Sequence, residues 1–220
     1  MVTLSVLIGG GREEEQVRRL LAPFVEATGG GEVACVVVDD GEGVDLERWR
    51  GVLADAASVH DVVLKEGRPL TAEDVAGAAG VFVAGGLTPL YAELVAPQRA
   101  ALAGLPYAGF SAGAAIAAER AVVGGWQLDG TAICPEDAGE DLDELTVVDG
   151  LGRVGFAVDV HASQWGTTSR ALQAVRAGLV AEAYAVDEHT AVVVRDGAVE
   201  VAGAGAALRF RPAADGVLVG

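Results

Sequence analysis

The first 110 residues alternate between short apolar runs and stretches whose apolar residues recur at helical spacing, and this alternation most limits the possible folds. Short segments rich in apolar residues, which we predict as strands, occupy residues 4–8, 33–38, 59–64, 81–84 and 106–110, and residues 33–38 are apolar throughout. The first is followed by a stripe typical of one helical face, made of Val17, Leu20, Leu21, Phe24 and Val25. Continuous apolar runs indicate strands buried on both faces, as in a parallel sheet covered by helices. The pattern therefore predicts an α/β fold.

The last 30 residues follow a different pattern. Apolar residues 191–194 and 198–201 flank Asp196-Gly197, a dipeptide that accepts the positive φ angles of a tight hairpin, and residues 206–210 resemble one more strand. We therefore expect a three-layer α/β fold, with a mainly parallel sheet flanked by helices and antiparallel strands near the C-terminus. A chain of 220 residues can form this as a single domain spanning residues 1–220.

Several local predictions bear on the site. Thr88-Pro89 is a favourable N-cap and first-turn pair for a helix that Pro97 ends or disturbs. Small residues predict a helix over 112–121, and apolar runs predict strands over 145–148 and 154–160. The stretch 136–144 is rich in acids without an apolar period, which indicates a solvated connection.

The charge balance excludes several classes of function. Asp and Glu number 32 against 15 Lys and Arg, a formal charge of -17 that repels nucleic acid and anionic membrane surfaces. No apolar segment approaches the roughly 20 residues that a bilayer requires. Two cysteines, Cys35 and Cys134, are too few for a disulfide framework. We expect a cytoplasmic protein that binds neither nucleic acid nor membrane, and a homodimer is one assembly state that the sequence allows.

The segment Gly109-Phe110-Ser111-Ala112-Gly113 lies between a predicted strand and a predicted helix. A sharp turn there would expose the serine hydroxyl and direct the helix N-terminus towards it, as at a nucleophile elbow. The alternative is a serine that merely caps a helix. Its position directly after an apolar strand favours a nucleophile.

A nucleophilic serine requires a base, and the chain offers three histidines, His60, His161 and His189. His60 lies at the start of a predicted strand, whereas catalytic groups of open α/β sheets gather at the carboxyl ends of strands. His161 follows the apolar run 154–160 and is therefore the favoured base. Glu188 and His189 are neighbours just before a strand, so only one of them is expected to face the site.

These segments together resemble the dipeptidase E and cyanophycinase family of serine peptidases, whose fold is similar to that of class I glutamine amidotransferases. The matching pieces, in the family's order, are Gly85-Gly86 with Thr88, the segment 109–114, Asp159-Val160-His161 and the segment 187–191. The resemblance implies Ser111 as nucleophile, His161 as general base and Glu188 as the acid that orients the imidazole. Asp129 and Asp159 remain rival third members.

The resemblance also implies an oxyanion hole formed by the backbone amides of Gly86 and Ala112, and a mechanism that needs neither metal nor organic cofactor. A set of four side chains would surround a small peptide substrate, namely Thr88, Gln164, Trp165 and Arg170. The chain departs from the family after His161, where only Arg170 retains one of the usual arginines. Cyanophycin is therefore not the expected substrate.

Two other functions stay open on the sequence alone. One is an amidase or esterase, similar to glutamine amidotransferases, that acts on a small amide or ester. The other is a non-catalytic binding module that kept the fold. Labelling of Ser111 by a fluorophosphonate would distinguish an enzyme from the binding module.

Overall fold

A seven-stranded sheet forms the centre of the protein in a computed structural model that describes residues 4–220. Five of its strands are parallel neighbours, and an antiparallel hairpin extends one edge. In spatial order the strands are β13 (Ala198–Gly203), β12 (Thr190–Arg195), β1 (Leu4–Ile8), β5 (Tyr107–Phe110), β4 (Gly80–Val83), β2 (Glu32–Val38) and β3 (Ser58–Leu64). The predicted α/β class with C-terminal antiparallel strands is confirmed.

The remaining strands form a smaller sheet and two short ribbons. The smaller sheet contains β10 (Ala157–Asp159), β11 (Ala183–Val186), β14 (Ala207–Ala213) and β15 (Gly216–Val219). The ribbons pair β6 (Arg120–Gly124) with β9 (Thr146–Asp149), and β7 (Gln127–Leu128) with β8 (Thr131–Ala132). The sequence patterns did not predict β6, β7, β8, β11 or β15, and the predicted strand 154–160 is reduced to the three residues of β10.

Helices cover both faces of the large sheet. They are α1 (Glu14–Ala27), α2 (Leu46–Val52), α3 (Thr88–Val95), α4 (Arg99–Leu102), α5 (Ala112–Ala115) and α6 (Thr168–Arg176). Residues of α1 and α2 pack with Leu4, Val6 and Ile8 of β1, whereas Leu7 packs on the opposite side with α3 and α5. Alternate residues of a strand point to opposite faces, so a strand covered on both sides needs a continuous apolar run. None of the helices in the described part of the chain is long and apolar enough to cross a membrane.

The helix predicted over 112–121 is much shorter in the structure. It ends at Ala115, and Arg120–Gly124 continues as a strand that pairs with Thr146–Asp149. Small residues permit a helix, but pairing with a distant strand overrides that weak local preference.

The N-terminus of α3 also differs from the prediction. Leu87 is the N-cap and Thr88 is the first helical residue, so Thr88 does not cap the helix with its own side chain. Its backbone amide instead donates a 2.8 Å hydrogen bond to Glu140 Oε2 from a distant loop. A carboxylate is favourable there because it satisfies a free amide and faces the positive end of the helix dipole.

Candidate active site

Ser111 lies at a sharp bend between β5 and α5. Its φ of 51° and ψ of -111° are unusual for a residue with a side chain, and its amide is tied to Ile8 O at 2.9 Å. Both flanking glycines are required by close backbone approach. A Cβ on Gly109 would lie 2.3 Å from Gly113 O, and one on Gly113 would lie 2.2 Å from Val83 O. The Gly-x-Ser-x-Gly pattern is thus the sequence of a strand-to-helix elbow, and the buried serine at this elbow lines a cavity.

A chain of hydrogen bonds joins three of the predicted site residues. Ser111 Oγ is 2.8 Å from His161 Nε2, and His161 Nδ1 is 2.8 Å from Glu188 Oε1. A carboxylate can only accept, so Nδ1 carries a proton; in the neutral imidazole Nε2 is then free to accept from the serine hydroxyl. This tautomer can take up the proton of Ser111.

Three segments of the chain meet at one edge of the large sheet to form this arrangement. Strands β1 and β5 are parallel, with Ile8 opposite Phe110, so both end at the same edge. Strand β12 runs antiparallel to β1 and begins there, which brings Glu188 to that edge. The strand before His161 belongs to the smaller sheet, contrary to the simple expectation of one shared sheet. The amide of His161 is nevertheless held by Gly9 O at 2.9 Å.

His161 is only 6% exposed, and its backbone has a left-handed φ of 53°. Burial lowers the pKa of its imidazole below the ordinary 6.5, and the hydrogen bond and charge of Glu188 oppose that shift only in part. The imidazole is therefore neutral at pH 7 and able to act as a base.

The other carboxylates and histidines lie elsewhere. Asp159 is buried and pairs with Arg170, and the backbone amide of the exposed Asp129 donates to Glu144 Oε2, so neither of them occupies the position beside His161 Nδ1. His189 turns away from Glu188 and contacts Glu13. His60 contacts Asp74 O and Glu32 instead of the cavity.

The two amides predicted for an oxyanion hole belong to Gly86 and Ala112. Gly86 follows β4 and Ala112 follows the serine, so both lie at the same edge of the sheet. Among the described residues, neither amide donates a hydrogen bond to the protein. Gly86 also lines the cavity into which Ser111 opens.

This cavity has a volume of about 950 Å³ and contains Ser111, His161 and Glu188 in its wall. Arg12 and Arg48 line one part of it. The acidic stretch 136–144, predicted as a solvated connection, lines another part through Glu136, Asp137, Glu140, Asp141 and Asp143. Hydrogen bonds from distant residues hold the stretch in place. The Thr88 amide donates to Glu140 Oε2, and Trp126 Nε1 donates to Asp143 Oδ1. Burial raises the pKa of Glu140, and the hydrogen bond from Thr88 partly offsets this.

The four side chains predicted around the substrate are in different environments. Trp165 lines the cavity and stacks on His161, whereas Gln164 accepts a hydrogen bond from the Glu188 amide at 3.0 Å. Thr88 is 2% exposed at the start of α3. Arg170 is 4% exposed; its Nε and Nη2 bind both oxygens of Asp159, and its Nη1 binds Ala138 O. Arg170 is thus engaged within the protein and anchors the acidic stretch.

Replacing Asp159 by alanine should destabilise the fold strongly, because it leaves the Arg170 charge buried without its partner. Losing one member of a buried ion pair typically costs about 3–5 kcal/mol, whereas an exposed pair contributes about 0–1 kcal/mol. The exposed pair Arg120–Asp149 offers a control, with Asp149→Ala. Chemical unfolding of both variants measures the loss in the free energy of unfolding. Equal losses would show that the buried pair contributes no more to stability than the exposed pair.

Gly10 and Gly11 were not among the predicted site residues, although each lies directly against a histidine ring. A Cβ on Gly10 would lie 2.1 Å from His161 Cε1, and one on Gly11 would lie 2.3 Å from His189 Nε2. The sequence contained a signal, since three consecutive glycines follow β1 directly.

Comparisons with known proteins agree with this fold. No protein-family model matches the chain, and no curated protein matches it significantly. Among solved structures, a 1.5 Å crystal structure of a "Putative Peptidase E Protein" from Listeria monocytogenes EGD-e is similar, with a TM-score of 0.61 and 16% sequence identity. The match covers 93% of this chain and 100% of that chain. At this identity the similarity establishes a common fold with that protein.

Proposed function

We propose that the chain is a serine hydrolase that cleaves small peptides through an acyl-enzyme. The observation that supports this best is the continuous chain of hydrogen bonds from Ser111 through His161 to Glu188 in the wall of a large cavity. Such a chain lets an imidazole remove the serine proton while a carboxylate stabilises the imidazolium that forms. The shared fold with the Listeria protein agrees with a peptidase.

In the proposed mechanism, Ser111 Oγ attacks the peptide carbonyl carbon as its proton passes to His161 Nε2. The amides of Gly86 and Ala112 stabilise the oxyanion. The imidazolium then gives its proton to the leaving amine, and an acyl-enzyme remains. A water molecule, deprotonated by His161, attacks the ester, and the Ser111 hydroxyl is restored.

The charges of the cavity wall favour a short peptide over a neutral ester. Arg12 and Arg48 can bind a terminal carboxylate, and carboxylates such as Asp137 and Asp141 can bind a terminal ammonium group. A free dipeptide carries both charges, whereas an aryl ester need carry neither.

Two measurements test the proposal. A fluorophosphonate should label the folded protein at Ser111, detected by peptide mass spectrometry, and dipeptides should be hydrolysed faster than aryl esters. Labelling with a preference for esters or simple amides would favour the amidase or esterase alternative. A folded protein without labelling would favour a non-catalytic binding module.

The pH dependence of hydrolysis should reflect the buried imidazole. His161 must be neutral to act as base, and its pKa lies below 6.5, so kcat/KM should stay high on acidification until below pH 6.5. Glu188 raises this pKa, so Glu188→Gln should move the acidic inflection to still lower pH and reduce kcat by about 10⁴-fold. The pH–rate profiles of both proteins measure this. An inflection that moves to higher pH in the variant would contradict the assigned role of Glu188.

A further inference from the structure

A five-residue π-helix, Ala162–Gly166, follows His161 directly. The left-handed backbone of His161 starts this turn, and the Trp165 amide donates a 2.7 Å hydrogen bond back to His161 O. Single π-turns are rare and often occur at functional sites. This turn brings a side chain four residues later over the imidazole.

The indole of Trp165 lies flat against the imidazole. The ring centroids are 3.9 Å apart, and the planes differ by 7°. Trp165 is 41% exposed, whereas His161 is 6% exposed. This large side chain is therefore only partly buried, and it covers one face of the imidazole.

The same turn also holds the segment that carries Glu188. Gln164 Oε1 accepts from the Glu188 amide at 3.0 Å, and the Ser163 amide donates to Asp187 Oδ1 at 2.9 Å. The turn therefore contacts both the imidazole and the backbone that presents its carboxylate partner.

We infer that Trp165 is a positioning residue. Its indole fixes the plane of the His161 imidazole between Ser111 and Glu188 and shields the ring face that it covers from water. This role depends on the proposed hydrolase function. The π-turn places the indole against the imidazole. The hydrogen bonds of Ser163 and Gln164 fix the position of the turn relative to the segment that carries Glu188. The side chain thus acts through His161, beside which it also lines the cavity.

Trp165→Ala should lower kcat by about 10- to 100-fold with a smaller change in KM, because small misplacements of catalytic groups cost up to about 10²-fold. It should also raise the His161 pKa towards 6.5, since burial is the main cause of its low value. The charged groups that act on the imidazole, Glu188, Asp159 and Arg170, are unchanged in this variant.

Trp165→Phe serves as the conservative variant, because a phenyl ring can cover the same face, and it should restore most of the rate and the low pKa. Leu179→Ala, at a side chain of similar exposure away from the cavity, is the control for loss of an exposed apolar group. The measurements are kcat and KM, and NMR titration of the imidazole, with His161→Gln used to assign its signal.

The inference is overturned if Trp165→Ala keeps both the kcat and the His161 pKa of the parent protein, or if Trp165→Phe is as impaired as Trp165→Ala. The NMR titration does not depend on turnover. If the parent protein proves inactive while the pKa still rises in Trp165→Ala, the proposed function fails and shielding by the indole stands, without a catalytic consequence. Failure of the hydrolase proposal can therefore be distinguished from failure of the role inferred for Trp165.

Discussion

Replacing Ser111 by alanine is expected to lower kcat by about 10⁶-fold, the loss typical when the nucleophile of a Ser-His-acid triad is removed. The same substitution should abolish fluorophosphonate labelling. The side chain of Ser111 makes its one described hydrogen bond to His161 Nε2, and alanine differs only by the hydroxyl. The strained backbone at the elbow therefore stays as it is, and the fold should persist. Hydrolysis assays and peptide mass spectrometry measure the two effects.

Ser58→Ala is a suitable control for this experiment, because Ser58 is exposed at the start of β3 and lies outside the cavity wall. It should keep full activity and labelling at Ser111. Thermal unfolding and circular dichroism should show that both variants are folded. Persistent hydrolysis in Ser111→Ala would rule out the acyl-enzyme through this residue.

Gly10→Ala should reduce kcat by about 10³-fold or more, although Gly10 carries no reactive group. The added Cβ would lie 2.1 Å from His161 Cε1 and 2.6 Å from Nδ1, closer than atoms can approach. The backbone at Gly10 cannot easily retreat, because its carbonyl accepts from the His189 amide at 2.8 Å. The imidazole must move and lose its alignment with Ser111 and Glu188, and removing a triad partner leaves only the slower residual reaction.

The φ of +117° at Gly10 adds backbone strain to this clash, so a second glycine is needed to separate the two effects. Gly41 has a φ of +107°, and no atom lies within 4 Å of an added Cβ there. Gly41→Ala carries similar strain of about 1–3 kcal/mol but spares the imidazole. Kinetics and unfolding of both variants provide the comparison. Equal activity in the two would show that the imidazole position seen here is not required.

Two residues of the candidate site, Ser111 and His161, were predictable because each follows a local rule. Ser111 stands between a fully apolar strand and a run of small residues, and His161 follows an apolar run, so both were expected at strand ends. The choice of Glu188 over Asp159 and Asp129 rested on a resemblance alone. In the structure, Glu188 is the carboxylate at the imidazole, because an antiparallel strand brings residue 188 back to the serine's edge.

Other features could not be read from local patterns. The acidic stretch 136–144 has the composition of a solvated loop, yet it forms part of the cavity wall because Thr88, Trp126 and Arg170 bind it from elsewhere in the chain. Arg170 was predicted among the side chains around the substrate, and the structure places it in a buried pair with Asp159. A charged residue on a helix has no sequence signal that distinguishes these partners.

The sequence by itself determined the layered α/β fold, the elbow at Ser111 and the place of His161 after a strand, because apolar periodicity and glycine spacing act over a few neighbouring residues. Only the tertiary structure decided which carboxylate contacts His161, which glycine next to it has no room for a side chain, and where Trp165 lies. Those contacts join residues far apart in the chain, and their geometry depends on how strands and loops converge at one edge of a sheet.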